Sequence, residues 1–100
     1  MPSAAKVPWA VSFSELRECI RNKLKIKFTY IDLQERPSIR TVRPLSLVFF
    51  GPVWLLVAWC EQRRDFRNFR LDRITELQVP GEIFSDEKDK SLQAYLSSMN

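Results

Sequence analysis

The stretch Val53-Trp54-Leu55-Leu56-Val57-Ala58-Trp59-Cys60 is the longest apolar run in the sequence. Its length suits a β-strand and falls far short of the roughly 20 residues that a membrane-spanning helix needs. Both alternating faces of the run are apolar, which is typical of a strand that is covered on each side. We therefore predict that residues 53–60 form the central strand of a sheet and that the protein does not associate with a membrane.

Helical and strand periodicities precede this run. Ser12 and Glu15 have the spacing of a capping box, and apolar residues then recur at helical intervals, which predicts a helix over residues 13–23. The pattern changes to strict alternation over residues 25–30, which predicts a first strand. A second strand is predicted over residues 38–50, after a polar turn.

Proline and glycine residues divide the rest of the chain. Pro44 interrupts the second strand and predicts an edge, a bulge or a bend, because proline cannot donate a hydrogen bond to a ladder. Gly51-Pro52 predicts a tight turn before the central strand. Two further strands are predicted over residues 66–71 and 74–79, and Pro80-Gly81 ends the second of them.

The predicted elements combine into a mainly β domain with flanking helices. One N-terminal helix, five short strands and a short amphipathic C-terminal helix favour a small, strongly bent five-stranded β-barrel. The predicted division of the chain is a lead-in or vector-derived segment over residues 1–11, the barrel domain over residues 12–80, and an acidic linker with the C-terminal helix over residues 81–100.

The charge of the chain is unevenly distributed. The 100 residues carry a net charge of +4, and 45% of them are hydrophobic, which is enough for one folded domain. Residues 1–80 hold 14 Lys and Arg against 8 Asp and Glu, whereas residues 81–100 hold 2 against 4. The folded body therefore carries the basic excess, which indicates an anionic partner.

Residue types that enzymes and metal sites use are scarce. The sequence has no histidine, and its two cysteines, Cys19 and Cys60, stand far apart. A metal site needs three or four ligands, so we expect no metal and no cofactor, and cysteines that pack as small apolar residues. There is no glycine-rich phosphate loop, no nucleophile motif and no apolar signal-peptide core. We predict a cytoplasmic protein that is not an enzyme.

Several stretches, in a fixed order, resemble the WYL domain. The resemblance covers residues 13–79, and residues 92–96 resemble a helix that follows the domain in that family. In many bacterial transcription regulators an Sm-like, SH3-type barrel of this kind lies behind a helix-turn-helix, so the resemblance implies a regulatory domain. The matching stretches are Leu16–Arg21 in the helix, Ile26–Tyr30, Arg40–Phe49, Trp54–Cys60 and Asp65–Ile74.

Two features depart from the family pattern. The Trp-Tyr-Leu for which the family is named reads Trp54-Leu55-Leu56 here, which removes a phenol and any hydrogen bond that it makes in relatives. The eleven residues before the helix are too few for a helix-turn-helix. We therefore expect either a domain excised from a longer regulator, which we prefer, or a stand-alone sensor.

The segment from Arg63 to Arg73 combines five arginines with two phenylalanines. Guanidinium groups bind phosphates through paired donors and aromatic rings stack on bases, so this pattern favours a nucleic-acid or nucleotide-like ligand. The alternative is a solvated strand with surface ion pairs, in which Asp72 holds an arginine. The resemblance implies that the last three arginines of the segment line a ligand pocket.

Two further residues join the predicted site. Arg43 lies beside the interruption at Pro44, on a predicted face with Leu45, where a charge needs a partner or a pocket. Tyr30 ends an apolar row and is either a core residue or a hydrogen-bonding residue at a pocket rim. The predicted ligand-binding residues are Tyr30, Arg43, Arg67, Arg70 and Arg73.

We therefore predict a regulatory domain of a bacterial transcriptional regulator that binds a nucleic-acid or nucleotide-like anion, with short single-stranded DNA as one candidate. In the parent regulator the ligand would bias the arrangement of the DNA-binding domains. The alternative function is a dimerisation or assembly module without a ligand of its own, formed by an open strand edge or by the apolar stripe of Leu92, Tyr95 and Met99. A homodimer is expected.

Overall fold

A computed structural model describes residues 12–99 of the chain. The elements are α1 (Phe13–Arg21), β1 (Ile26–Ile31), β2 (Pro37–Phe50), β3 (Val53–Cys60), β4 (Asp65–Arg70), β5 (Ile74–Gln78) and α2 (Leu92–Ser98), with short 3-10 turns at Leu71–Arg73 and Lys88–Lys90. The five strands form one antiparallel sheet in the order β4-β3-β2-β1-β5. The predicted fold class, mainly β with flanking helices, is confirmed.

The first helix begins as predicted and ends two residues early. The Ser12 hydroxyl accepts a hydrogen bond from the Glu15 amide at 3.3 Å, as the capping box predicts. Lys23, the predicted last residue, has a φ of 55°, and this left-handed conformation cannot continue a helix. Leu16 and Cys19 lie on the buried side of α1 and join the helix to the core.

The sheet curls so strongly that strands β1 and β4 touch, although two strands lie between them. In a flat sheet their axes would be roughly 14 Å apart. The ring centroids of Phe28 and Phe69 are only 5.2 Å apart, and those of Tyr30 and Phe69 are 5.0 Å apart. The core therefore lies inside the curl, where it also contains Leu16, Cys19, Ile26, Val42, Leu56, Ala58, Cys60, Leu71 and Ile74.

The curled sheet does not close into a complete barrel. Its outer strands, β4 and β5, are joined by a 3-10 turn, and within residues 12–99 no ladder pairs them. We call the gap between β4 and β5 the seam. The Tyr30 side chain reaches it from β1. Tyr30 Oη accepts a hydrogen bond at 3.1 Å from the backbone amide of Arg70, so the side chain ties β1 to β4. The predicted barrel is thus open at the seam, and its likeness to Sm-like folds stays a prediction.

A bulge at Leu45 changes the alternation of β2. Pro44 pairs with Ala58, whereas Ser46 pairs with Val57, so Leu45 is an extra residue on its strand. The bulge is one of the three outcomes predicted for Pro44. Residues of β2 with even numbers face the core before the bulge, and residues with odd numbers face it afterwards.

The segment after β5 covers part of the outer face of the sheet. Phe84 is buried, and α2 packs its Tyr95 ring 5.6 Å from Phe66, which in turn contacts Trp59 at 5.1 Å. Neither helix described in residues 12–99 has the length and the apolar character that crossing a bilayer requires. The domain boundary predicted at residue 80 stays a prediction.

The substitution Tyr30→Phe tests whether the hydrogen bond of Tyr30 to the Arg70 amide stabilises the fold at the seam. It leaves the Arg70 amide without its acceptor, and we expect the free energy of unfolding to fall by about 1–2 kcal/mol. Urea denaturation followed by tryptophan fluorescence measures this change. Tyr95→Phe is the matched control, because Tyr95 Oη accepts a bond from the exposed Asn68 side chain, and a loss below about 0.5 kcal/mol is expected. Equal losses in the two variants would contradict the role of Tyr30.

Candidate functional site

The five predicted site residues lie on two sides of the sheet. Tyr30, Arg67, Arg70 and Arg73 are on β1, β4 and the turn that follows β4, at or beside the seam. Arg43 lies on the outer face of β2, where its strand partner is the outward-facing Trp59. Arg70 pairs with Leu55 and follows the inward-facing Phe69, so its side chain lies on the opposite face of β4 from Arg67. The structure therefore does not bring Arg67 and Arg70 together, and Arg43 lies apart from the other predicted residues.

Arg43 is held by two carboxylates on the outer face. Its Nε donates to Glu61 and its Nη1 donates to Glu87, each at 2.7 Å, and only 11% of the side chain is exposed. Burial acts to lower the pKa of Arg43, but the hydrogen bonds to Glu61 and Glu87 outweigh it and raise the pKa. The partner that this charge was predicted to need is therefore supplied within the chain.

Arg70 and Arg73 have partners of different kinds. Arg70 donates to both carboxylate oxygens of Asp72, at 3.1 and 2.8 Å, and this contact raises the pKa of Arg70 and lowers that of Asp72. Arg73 Nη1 donates to the carbonyl oxygens of Ile31 and Asp32, at 3.2 and 2.8 Å. Arg73 therefore ties the turn to the end of β1. Its buried Nε has no hydrogen-bond partner among residues 12–99.

Arg67 and Arg40 face the inner side of the sheet, and we call them the inner arginine pair. Arg67 lies opposite Ala58 and two residues before the buried Phe69. The guanidinium carbon of Arg40 is 5.7 Å from the centre of the Phe69 ring, and its Nη1 is 4.0 Å from the Cys60 sulfur. Within residues 12–99, neither guanidinium group has a carboxylate partner.

Arg40 is the functional candidate that the sequence analysis missed. Alternation counted straight through β2 places Arg43 on the same face as Leu45, but the extra residue at Leu45 interrupts this alternation. Arg40 stands two positions before the buried Val42 and pairs with Phe28. Alternation over this first part of β2 was therefore a sufficient signal for an inward-facing arginine.

The inner arginine pair gives this side of the sheet a positive charge that the described residues do not neutralise. Guanidinium groups stay protonated at physiological pH, so the charge is permanent. The Phe69 ring attracts the Arg40 cation, and the Ser38 hydroxyl accepts a hydrogen bond from Arg40 Nε at 3.0 Å. Arg40 is thus held in one orientation with donors left for an anion.

The fold places the chain among small, mainly β domains built on one curled antiparallel sheet. A family model described as the WYL domain matches residues 11–79, and the chain belongs to the WYL domain family. This match confirms the resemblance found in the sequence.

The proteins that the chain is similar to include transcriptional regulators. It is 33% identical over 70 residues to the uncharacterized HTH-type transcriptional regulator YobV of Bacillus subtilis (strain 168), which covers 70% of the chain and 22% of that relative. It is 35% identical over 69 residues to the DNA-binding transcriptional repressor CapW of Escherichia coli (strain KTE188), which covers 68% of the chain and 23% of that relative. The chain therefore spans less than a quarter of the length of these regulators.

A solved structure shares the fold. The proteasome accessory factor B/C (PafBC) of Arthrobacter aurescens matches with a TM-score of 0.68 and 32% sequence identity. The match covers 73% of this chain and 12% of the PafBC chain. The curled sheet described here is therefore a small part of a much longer chain in that protein.

The pH dependence of folding stability tests the ion pairs that Glu87 forms on the outer face of the sheet. Hydrogen bonds from Arg43 and Lys90 lower the pKa of Glu87 from 4.5 to about 2. A carboxylate whose pKa is lowered by folding stabilises the fold above its unfolded pKa and loses that contribution as the pH falls through the folded pKa. We expect the wild type to be more stable than Glu87→Gln near neutral pH, with a difference that shrinks between pH 4.5 and about 2.

Urea midpoints measured for both proteins across this pH range provide the comparison. The matched control is Glu35→Gln, because Glu35 is an exposed carboxylate whose contact with Arg73 is longer, at 3.5 Å. A difference between wild type and Glu87→Gln that stays constant from neutral pH to about pH 2 would show that Glu87 does not stabilise the fold through its charge.

Proposed function

We propose that the chain is a ligand-sensing regulatory domain of a cytoplasmic helix-turn-helix transcriptional regulator, and that it binds a nucleic-acid or nucleotide-like anion. The regulatory part of the proposal is supported by the regulators YobV and CapW, which share the WYL region with this chain. The observation that carries the ligand class is the inner arginine pair, whose two guanidinium groups face one side of the sheet without a carboxylate partner in residues 12–99.

The inner arginine pair suits a phosphate group. A guanidinium group presents planar donors that match two phosphate oxygens, and charge-assisted hydrogen bonds of this type are stronger than neutral ones. Arg40 is already oriented by Phe69 and Ser38, so it loses little side-chain freedom when an anion binds. Arg67 has no competing partner among the described residues, so a ligand does not have to displace one.

Tyr30 at the seam adds a contact of lower strength. The Tyr30 hydroxyl proton has no acceptor within residues 12–99 and can donate to a ligand, whereas the Arg73 Nε is buried and out of a ligand's reach. Arg70 is left out of the proposed site, because its side chain lies on the opposite face of β4 from Arg67 and already pairs with Asp72. Arg43 is left out of the proposed site, because it lies on the other face and already binds two carboxylates.

A ligand at the inner arginine pair can affect the neighbouring parts of a regulator by linking strands. Its contacts would join β2 to β4, two strands that the sheet does not pair with each other. Such binding changes the arrangement of a parent protein only if the ligand prefers one arrangement over another. In the proposed regulator, the preferred arrangement sets the relative position of the helix-turn-helix domains.

Fluorescence anisotropy with a labelled single-stranded oligonucleotide of about 12 nucleotides tests the ligand class. We expect Arg40→Gln and Arg67→Gln each to weaken binding at least about tenfold, because each removes a charge-assisted contact to phosphate. The logarithm of the affinity should fall with the logarithm of the salt concentration, by about 0.7 for each phosphate contacted.

Arg21→Gln is the control for this experiment. It removes the same charge from an exposed position on α1, where Arg21 forms an ion pair with Glu18. An effect below about twofold is expected, since only long-range attraction changes. If the folded domain does not bind the oligonucleotide, or if the three variants weaken binding equally, the proposed site is wrong.

A second candidate function, assembly without a ligand, is favoured by an apolar hollow on the outer face. The hollow has a volume of about 360 Å³ and lies between α2 and strands β2 to β4. Phe50 and Met99 line it and remain 70% and 65% exposed, which is typical of surfaces that contact another protein. The other lining residues are Val48, Leu55, Val57, Asn68, Tyr95 and Leu96.

Sedimentation velocity distinguishes the two functions. An assembly module forms a dimer that Phe50→Ser dissociates, because the substitution removes an exposed aromatic side chain from the contact, and that Arg67→Gln leaves intact. A protein that stays monomeric over the accessible concentration range does not assemble through this hollow. The oligonucleotide experiment is then the one that decides the function of the isolated chain.

A further inference from the structure

Residues 82–87, which we call the acidic strap, lie as an extended peptide beside the link between α1 and β1. The Lys25 amide donates to the Glu82 carbonyl at 2.8 Å, and the Phe84 amide donates to the Lys23 carbonyl, also at 2.8 Å. These bonds form a short antiparallel bridge. The strap is therefore attached as a peptide is attached when it adds to the edge of a structured segment.

The acidic side chains of the strap form ion pairs with the basic side chains beneath it. Each of its three carboxylates meets a different cation, and the cations come from the end of α1, the start of β1 and the outer face of β2. The contacts are Glu82 with Lys25 at 3.0 Å, Asp86 with Lys23 at 3.3 Å, and Glu87 with Arg43 at 2.7 Å. Charge complementarity therefore runs along the whole strap.

Phe84 is the apolar anchor of the strap. It is 7% exposed, and the Arg43 guanidinium carbon lies 5.8 Å from the centre of its ring. A hollow of about 150 Å³ remains beside the strap, where Ile20, Pro44 and Leu45 form part of the wall. We call the surface that holds the strap, formed by residues 20–25 and 43–45, the strap groove.

The strap is attached less firmly than the strands. Two backbone hydrogen bonds, one aromatic side chain and partly exposed ion pairs hold it, whereas the neighbouring strands are held by continuous ladders. Segments with few buried contacts open at lower free energy than core elements. Gly81, with a φ of 93°, lies between β5 and the strap, in a short connection where the chain can change direction.

We infer that the strap groove is an interaction surface for a second copy of this chain, which supplies its own acidic strap in exchange. A second copy carries by definition a segment with the same three carboxylates and the same aromatic anchor, so every contact is reproduced between the two copies. Exchange of an identical element between protomers is a direct route to a dimer. The tether within one chain raises the local concentration of its strap, so the closed monomer prevails in dilute solution.

A mixing experiment with two full-length variants tests this exchange. In the strap variant, Phe84→Ala leaves the strap groove intact but removes the anchor. In the groove variant, Lys23→Gln combined with Lys25→Gln leaves the strap intact and removes two cations that hold it, while Glu61 keeps its pair with Arg43. We expect each variant alone to be monomeric, and their equimolar mixture to form a one-to-one heterodimer in sedimentation velocity, at least tenfold tighter than any self-association.

The controls separate strap exchange from other contacts. A chain that carries all three substitutions must not pair with either variant, and Arg36→Gln, on the exposed turn between β1 and β2, must leave heterodimer formation unchanged. A dimer through the apolar hollow would form in every variant alike and would overturn the inference. If Phe84→Ala does not fold, the strap variant becomes Glu82→Gln with Asp86→Gln and Glu87→Gln.

Two results contradict the inference directly. The first is a mixture that stays monomeric although hydrogen exchange shows that the Phe84 position has lost its amide protection in the groove variant. The second is a strap variant whose exposed groove binds a labelled single-stranded oligonucleotide and does not bind a labelled peptide with the sequence of residues 81–90. That second result would make the groove a nucleic-acid surface.

Discussion

The contact of Phe69 with Phe28 and Tyr30 is the constraint on which the other features of the domain depend. The three rings meet only if β1 and β4 approach across two intervening strands, so the sheet must curl. The curl encloses the core and leaves β4 and β5 close together without pairing. The Tyr30 hydroxyl then satisfies an amide of β4, and the Phe69 ring orients Arg40. Packing of one phenylalanine thus determines both the seam and the position of the inner arginine pair.

Most of the fold could be predicted from local patterns in the sequence, because helix and strand periods are properties of neighbouring residues. The capping box at Ser12, the alternation in β1 and the continuous apolar run of β3 led to the right elements. Features that depend on a single backbone angle could not be predicted in this way. One example is the end of α1, where the left-handed φ of Lys23 prevents the helix from continuing. Closure of the sheet also could not be predicted, because it depends on whether β4 reaches β5.

The sequence predicted which types of residue form the candidate site, but it predicted their positions in the structure less well. The basic and aromatic segment before β5 indicated an anionic ligand, but its arginines do not converge, because Arg67 and Arg70 lie on opposite faces of β4. The partners of Arg43 could not be predicted, since Glu61 and Glu87 lie 18 and 44 residues away in the chain. Because the bulge at Leu45 interrupts the alternation along β2, the sequence points to Arg43 and not to the inward-facing Arg40.

The length of β2 has a mechanical consequence that the shorter strands do not share. β2 pairs with β1 only up to Val42, whereas its pairing with β3 continues to Phe50. Because β3 pairs with β4 from Leu55 onward, only residues 49–54 extend beyond the neighbouring strands. The Trp54 ring at this tip lies 4.9 Å from the Phe13 ring, so a force on the exposed aromatic tip is passed directly to the start of α1.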